Sequence, residues 1–283
     1  MHKTIAYQGV HGAYSEQACR NAYKTYSTVA CDTFHEAMWL VEQGDADLAM
    51  IPLENSTAGR VEEIYRLIPK MALHVIGEHF EPVVHCLIAL PDAKLENLRY
   101  VASHPQALAQ CHHNILELNL KAEAKLDTAG AAKELLELKD LKRAAIASKL
   151  AADIYGLKVV KENFEDKSGN TTRFFILSKQ EIVPTYEHSK RYITSLIFQV
   201  KNIPSALYKV LGGFATNGIN LLKIESYMGT EMLPGSQFHI DLDGHINSEV
   251  LRLALKEVAF FADNVRILGV YESHRHRGVE YMI

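Results

Sequence analysis

Short apolar runs alternate with helix-length runs along most of this chain, and the alternation changes rhythm near residue 180. "TIAYQG" (4–9) predicts a strand ended by glycine, and "AYSEQACRNAYKTY" (13–26) predicts a helix. "STVAC" (27–31), "HEAMWLVEQG" (35–44) and "ADLAMIPLE" (46–54) predict strand, helix and strand. After the helical "VEEIYRLI" (61–68), two strands are expected in "LHVIGEHFE" (73–81) and "PVVHCLIAL" (82–90). From about residue 99 the alternation starts again: "YVASH", "PQALAQCHHNILEL", "KAEAKL", "TAGAAKELLEL", "RAAIAS", "KLAADIYG", "LKVVKENF" and "TRFFILS". Such alternation specifies open α/β sheets with helices on both faces. Residues 1–180 therefore form two similar α/β lobes, with a ligand cleft expected between them near strand carboxyl ends and helix amino ends.

Polar "KQEIVPTYEHSK" (179–190), with Pro184 inside it, reads as a linker. Residues 191–272 then give strand, helix, two strands, helix and strand, a βαββαβ ferredoxin-like order. "ESHRHRGVEYMI" reads as a short, partly basic tail.

A chain of 283 residues suggests about two domains. Its net charge of −4 leaves no basic footprint for nucleic acid, so an anionic ligand would need local donors. No apolar run approaches the ~20 residues of a membrane span. The start "MHKTIAYQGV" lacks the pattern of a signal peptide, so no membrane association and a cytoplasmic location are expected. Cys19, Cys31, Cys86 and Cys111 form no CxxC pair, and read as reduced, mostly buried thiols.

Five stretches carry chemistry. In "GVHGAYSEQA" (9–18) a glycine-bearing turn meets a helix start, whose free N–H groups can hold a carboxylate. The plain alternative is a βα turn with Ser15 as N-cap. In "IPLENSTAG" (51–59) a buried strand ends in Glu54, Asn55, Ser56 and Thr57, more polar side chains than a turn requires. In "SHPQALAQC" (103–111) Pro105 suits the first helical position, and Gln106 and Gln110 share a helix face. Ser103 beside His104 is a poor nucleophile–base pair, because adjacent side chains rarely face each other. Cys111, His112 and His113 lack further ligands for a metal and read as a helix face. "DKSGNTTRFFIL" (166–177) places two hydroxyls and the planar fork of Arg173 at the mouth of an apolar strand. "NIPSALYKVLGGFATNG" (202–218) starts a helix at Pro204 and Ser205 and stops it at Asn217–Gly218.

Singly these signals are weak. In order, "YQGVHGAYSEQA", "IPLENSTAG", "SHPQALAQC", "GNTTRFFIL" and "ALYKVL…GINLLKIES" resemble prephenate dehydratase over about residues 3–272. The resemblance implies a two-lobed, periplasmic-binding-protein-like catalytic domain over 1–180 and a ferredoxin-like ACT regulatory domain over 191–272. It implies conversion of prephenate to phenylpyruvate, with loss of water and carbon dioxide, in phenylalanine biosynthesis. Aromatisation drives that reaction, so no cofactor or metal is required. Thr172 would assist departure of the ring hydroxyl, and Glu54, Asn55, Ser103 and Gln110 would orient the substrate. Arg173 could pair with a substrate carboxylate or with Glu54.

The resemblance also implies feedback by L-phenylalanine at Asn202, Ser205, Ala206, Leu207, Glu225 and Ser226, between the subunits of a homodimer or homotetramer. Here the chain departs from the family: Ser205 stands where a glycine is usual, and Tyr227-Met228 where Arg-Pro is often found. Arogenate dehydratase, and a non-catalytic, amino-acid-sensing two-lobed binding protein, are the alternatives. Thr172 and its polar companions argue against the last.

Overall fold

The computed structural model describes residues 3–227 and 236–278. Met228 and residues 279–283 of the expected tail lie outside the described residues. The chain runs β1 (Thr4–Gln8), α1 (Tyr14–Ala22), β2 (Ser27–Cys31), α2 (Phe34–Gln43), β3 (Leu48–Asn55), β4 (Gly59–Arg60), α3 (Glu62–Leu67) and β5 (His74–Pro82). It continues β6 (Cys86–Ala89), β7 (Tyr100–Ser103), α4 (Pro105–Gln110), α5 (His112–Glu117), β8 (Lys121–Ala124), α6 (Thr128–Leu138), β9 (Arg143–Ala147), α7 (Lys149–Tyr155), β10 (Lys158–Lys161) and β11 (Thr171–Ser178). Beyond the linker follow β12 (Tyr192–Val200), α8 (Ala206–Thr216), β13 (Leu221–Tyr227), β14 (Gln237–Asp243), α9 (Glu249–Phe261) and β15 (Ala262–Glu272).

These strands form three sheets, ordered β2-β1-β3-β11-β5 with β4 beside β3, β10-β6-β9-β7-β8, and β13-β14-β12-β15. The first two are the sheets of a two-lobed α/β catalytic fold, and the third is a ferredoxin-like βαββαβ sheet. By packing, the chain divides into two compact units, one of residues 1–37, 50–60 and 80–174, the other of 38–49, 61–79 and 175–283. Among the described residues no helix is long and apolar enough to cross a membrane.

The second sheet shows how period-two alternation builds a doubly covered layer. Leu87, Ala89, Val101 and Ile146 point to one face, with Ala107, Cys111 and Ile115 of α4 and α5. Cys86, Ile88, Ala102 and Ala145 point to the other, with Ala131 and Leu135 of α6 and Ala151 of α7. The third sheet buries Leu196, Phe198, Ile240 and Leu242 against Val210 and Phe214 of α8 and Leu251 and Val258 of α9. Its opposite face carries buried polar groups, Ser195, His239 and Asp241.

Local chemistry ends the helices where the sequence suggests. Gly156 stops α7 at φ +62, and Gly218 follows α8 at φ +66. All four cysteines are buried, as read.

Two expectations need correction. The helix expected across 105–118 breaks at Cys111 into α4 and α5. The Asp166 carboxylate accepts from the His113 and Asn114 N–H groups at 3.0 and 3.2 Å and so starts a new helix there. Ser15 is not a cap: Ala13 precedes α1, and the Glu16 carboxylate accepts the Gly12 N–H at 2.7 Å. Within the described part of the tail, Arg277 is buried and forks onto both oxygens of Glu78 at 2.8 and 3.0 Å.

Gly12 is fixed by its surroundings. Its φ is +88, and a Cβ there would sit 2.8 Å from both Cα and Cβ of Ala151. Gly12→Ala should therefore cost about 2–4 kcal/mol, from left-handed strain plus overpacking. A lowered urea midpoint checks this.

Candidate active site

Asn55 ends β3, and its side chain is held from both ends. Its Oδ1 accepts backbone N–H groups from Thr57 at 3.0 Å and Ala58 at 2.9 Å. Its Nδ2 donates to Thr172 Oγ1 at 2.9 Å and to Asn170 Oδ1 at 2.7 Å. Asn170 Nδ2 donates to Gln110 Oε1 at 3.1 Å. That oxygen also meets His85 Nε2 at 2.8 Å, and His85 Nδ1 meets the Tyr14 hydroxyl at 2.8 Å. One hydrogen-bonded run thus joins Tyr14, His85, Gln110, Asn170, Asn55 and Thr172, from five separate stretches of chain.

Backbone bonds hold the loops that carry these groups. Ser56 N–H donates to the Thr171 carbonyl at 2.9 Å, and Thr171 N–H to Ser56 Oγ at 3.0 Å. Asn170, Gln110 and His85 each accept at their carbonyls, from the N–H groups of Val83, Asp166 and Phe164 at 2.8, 2.7 and 2.7 Å. Rigid placement of this kind removes reorganisation at the moment of reaction.

The direction of every bond in the run follows from its start. Backbone N–H groups can only donate, so the Asn55 atom facing Thr57 and Ala58 is oxygen. Its other terminus is then the NH₂, which makes Asn170 present oxygen to Asn55 and NH₂ to Gln110. Gln110 in turn presents oxygen to Asn170 and His85. Two proton donors are left over. Gln110 Nε2 is buried and has no hydrogen-bond partner among the described residues. The Thr172 hydroxyl accepts from Asn55, and no described residue accepts its proton.

Of the residues singled out from sequence, Asn55, Gln110 and Thr172 are brought together. Arg173 lies beside them, 3% exposed at its side chain, and meets Glu54 at 3.1 Å. Of the two partners open to Arg173 from sequence, Glu54 is met here, and the Glu54 carboxylate is paired. Ser103 is wholly buried and gives its proton to the Ile146 carbonyl at 2.6 Å. His104 caps α4 by accepting the Gln106 N–H at 3.2 Å, so Ser103 and His104 act separately. Asn170, His85 and Tyr14 were not singled out. Asn170 sits inside the "GNTTRFFIL" motif, and His85 is the one ionisable oxygen or nitrogen side chain in apolar "PVVHCLIAL".

The glycine turn before α1 holds a carboxylate of its own. Burial pushes the Glu16 carboxyl up, but the Gly12 N–H, the Arg20 guanidinium and the Thr28 hydroxyl outweigh it and hold it below its ordinary value. A depressed carboxyl stabilises the fold above its unfolded value and loses that contribution as pH falls through the folded one. Stability should therefore drop in acid below about pH 4.5, the ordinary value for this group. In Glu16→Gln that acid-dependent share is missing, and urea midpoints at pH 7 and pH 4 should lie closer together than in the parent.

Residues 5–182 match the family model of prephenate dehydratase. The chain belongs to the prephenate dehydratase family. It is 42% identical over 275 residues to a bifunctional N-acyl-homoserine lactone acylase/prephenate dehydratase of Komagataeibacter europaeus, across 97% of this chain and 98% of the relative. It is 40% identical to arogenate dehydratase/prephenate dehydratase 2, chloroplastic, of Arabidopsis thaliana, across 94% of this chain and 72% of that one. The solved prephenate dehydratase of Arthrobacter aurescens in complex with L-Phe superposes with a TM-score of 0.86 at 30% identity, covering 95% of this chain and 90% of that one. The chain is thus an enzyme of a lyase family, and the non-catalytic alternative falls away.

In this dehydratase-family enzyme the expected effector residues occupy two elements. Asn202, Ser205, Ala206 and Leu207 stand at the amino end of α8, while Glu225 and Ser226 lie on β13 opposite His239 and Phe238 of β14. Ser205 has φ +59, the left-handed conformation that glycine adopts freely. Lys223 donates to Glu225 at 3.2 Å.

Proposed function

We propose that this enzyme is a prephenate dehydratase, converting prephenate to phenylpyruvate in phenylalanine synthesis under feedback by L-phenylalanine. The observation that carries the reading is the Thr172 hydroxyl, which accepts from Asn55 Nδ2 at 2.9 Å and so has its own proton to give. In the proposed reaction the bond from the ring to its carboxylate breaks and carbon dioxide leaves. The electron pair enters the ring, and the C–O bond to the ring hydroxyl breaks as the ring becomes aromatic. The hydroxyl takes up a proton and departs as water. Hydroxide is a poor leaving group, so a donor fixed against it lowers the barrier. A threonine hydroxyl is a weak acid, and Thr172 acts by positioned hydrogen bonding as much as by full transfer. Gln110 adds a second neutral donor, and Glu54 is paired with Arg173, which lessens its repulsion of a dianionic substrate. Ser103 supports the end of β7, from which α4 and Gln110 start.

The regulatory part of the proposal assigns residues 1–180 to catalysis and 191–272 to an ACT domain, with L-phenylalanine held by Asn202, Ser205, Ala206, Leu207, Glu225 and Ser226 in a homodimer or homotetramer. It is supported by the L-Phe complex of the Arthrobacter relative and by the left-handed backbone at Ser205. A second substrate, arogenate, is favoured by the Arabidopsis relative's name. The acylase named for the Komagataeibacter relative would need a nucleophile with a base in reach. Ser103 faces a carbonyl, and the Ser195–His239 pair at 2.8 Å is wholly buried, so acyl transfer is left out of the proposal.

The test is phenylpyruvate formation from prephenate, followed by absorbance in alkali, with and without L-phenylalanine. Turnover suppressed by phenylalanine supports both parts. Turnover without suppression removes the feedback, and turnover of arogenate alone moves the activity to the second substrate.

A further inference from the structure

We infer that His85, carrying its proton on Nε2, is a positioning residue that fixes the Gln110 amide with its oxygen toward Asn170 and His85 and its N–H₂ away from them. The inference rests on the dehydratase reading only for what Gln110 donates to. The geometry that supports it is independent of substrate.

Gln110 Oε1 accepts from Asn170 Nδ2 at 3.1 Å and faces His85 Nε2 at 2.8 Å. Because that oxygen can only accept, His85 Nε2 must carry the proton. Burial holds the imidazole below its ordinary value, although the Gln110 contact and the Glu165 carboxylate act in the other direction. The ring is therefore neutral near pH 7, and Nδ1 is bare. Burial keeps the Tyr14 phenol protonated; it donates to the Val84 carbonyl at 2.9 Å and its oxygen lies 2.8 Å from Nδ1. The tautomer is set at the Gln110 end, where an oxygen that can only accept faces Nε2 at 2.8 Å.

The backbone of His85 is fixed as well. Its N–H donates to Glu165 at 2.8 Å, and its carbonyl accepts from Phe164 at 2.7 Å. Two donors on one amide oxygen, from Asn170 and from His85, leave Gln110 a single orientation. Without His85 the amide has only Asn170 to orient it and can turn over, putting its oxygen where the N–H₂ stood. A carbonyl there would repel developing negative charge instead of stabilising it.

The experiment is a double-mutant cycle in the full chain, read as kcat and KM for prephenate, joined to the nitrogen chemical shifts of His85. His85→Leu should lower kcat by about 10–100-fold, the scale of a misplaced group, with a smaller change in KM. In the Gln110→Ala background the same substitution should add little, because its target is gone. His85→Gln, which returns an N–H near the Nε2 position, should recover most of the loss. Losses that multiply in the double variant, or a Gln variant as poor as the Leu variant, overturn the inference. The His85 shifts, assigned by difference with His85→Gln, should show protonated Nε2 and bare Nδ1. The reverse pattern overturns the inference even if prephenate proves not to be the substrate, and this reading does not require the Leu variant to fold.

Discussion

Thr172→Ala should lower kcat by about 10²–10⁴-fold, the usual scale for lost assistance to a proton-dependent leaving group. The fold should be unaffected, since the methyl of alanine fits where threonine stood and Asn55 keeps three of its four partners. Thr172→Ser retains the hydroxyl and should keep most of the activity, separating the loss of a donor from the loss of packing. Single-turnover rates beside melting temperatures check both. An unchanged kcat in the alanine variant would remove Thr172 from the mechanism.

Asn55→Asp should be nearly as damaging, although it changes no atom's position. The carboxylate still accepts from Thr57 and Ala58, so the loop stays closed. What is lost is the NH₂ shared between Thr172 and Asn170. Thr172 would then give its proton to the new carboxylate at close range and have none left for a leaving hydroxyl. The expected loss in kcat is about 10²–10³-fold, comparable to removing a preorganised donor. Asn55→Ala leaves Thr172 free to donate, and so should be less harmful to kcat while loosening the loop and lowering the melting temperature. If the alanine variant is the slower of the two, the proton on Thr172 is not the quantity that matters.

Much of the fold was legible because periodicity is local. The strands of the second sheet alternate faces residue by residue, and the stops at Gly156 and Gly218 need only a positive φ. What could not be read depends on partners remote in sequence. The break at Cys111 is made by Asp166, and the burial of Arg277 by Glu78. The same holds for the site. Asn55, Gln110 and Thr172 stand in motifs of recognisable order. His85 and Tyr14 gain their meaning only where β6, α4 and α1 deliver them to one run of hydrogen bonds. Arg173 was ambiguous because the sequence shows a guanidinium but not the Glu54 beside it.

The one-way polarity of that run also describes what can be drawn to it. Each amide is oriented by the one before it, beginning at two peptide N–H groups, and the run ends in unspent hydrogens, the Thr172 one beside a single open lone pair. A molecule that takes up the Thr172 proton must bring an acceptor to it. Carboxylates, ketones and sulfonyls would find a matching contact there, while an amine would have to use the open lone pair and leave the proton unspent. A fragment library for this enzyme should be weighted accordingly, and an inhibitor series should gain affinity when an N–H aimed at the Thr172 proton is exchanged for a carbonyl.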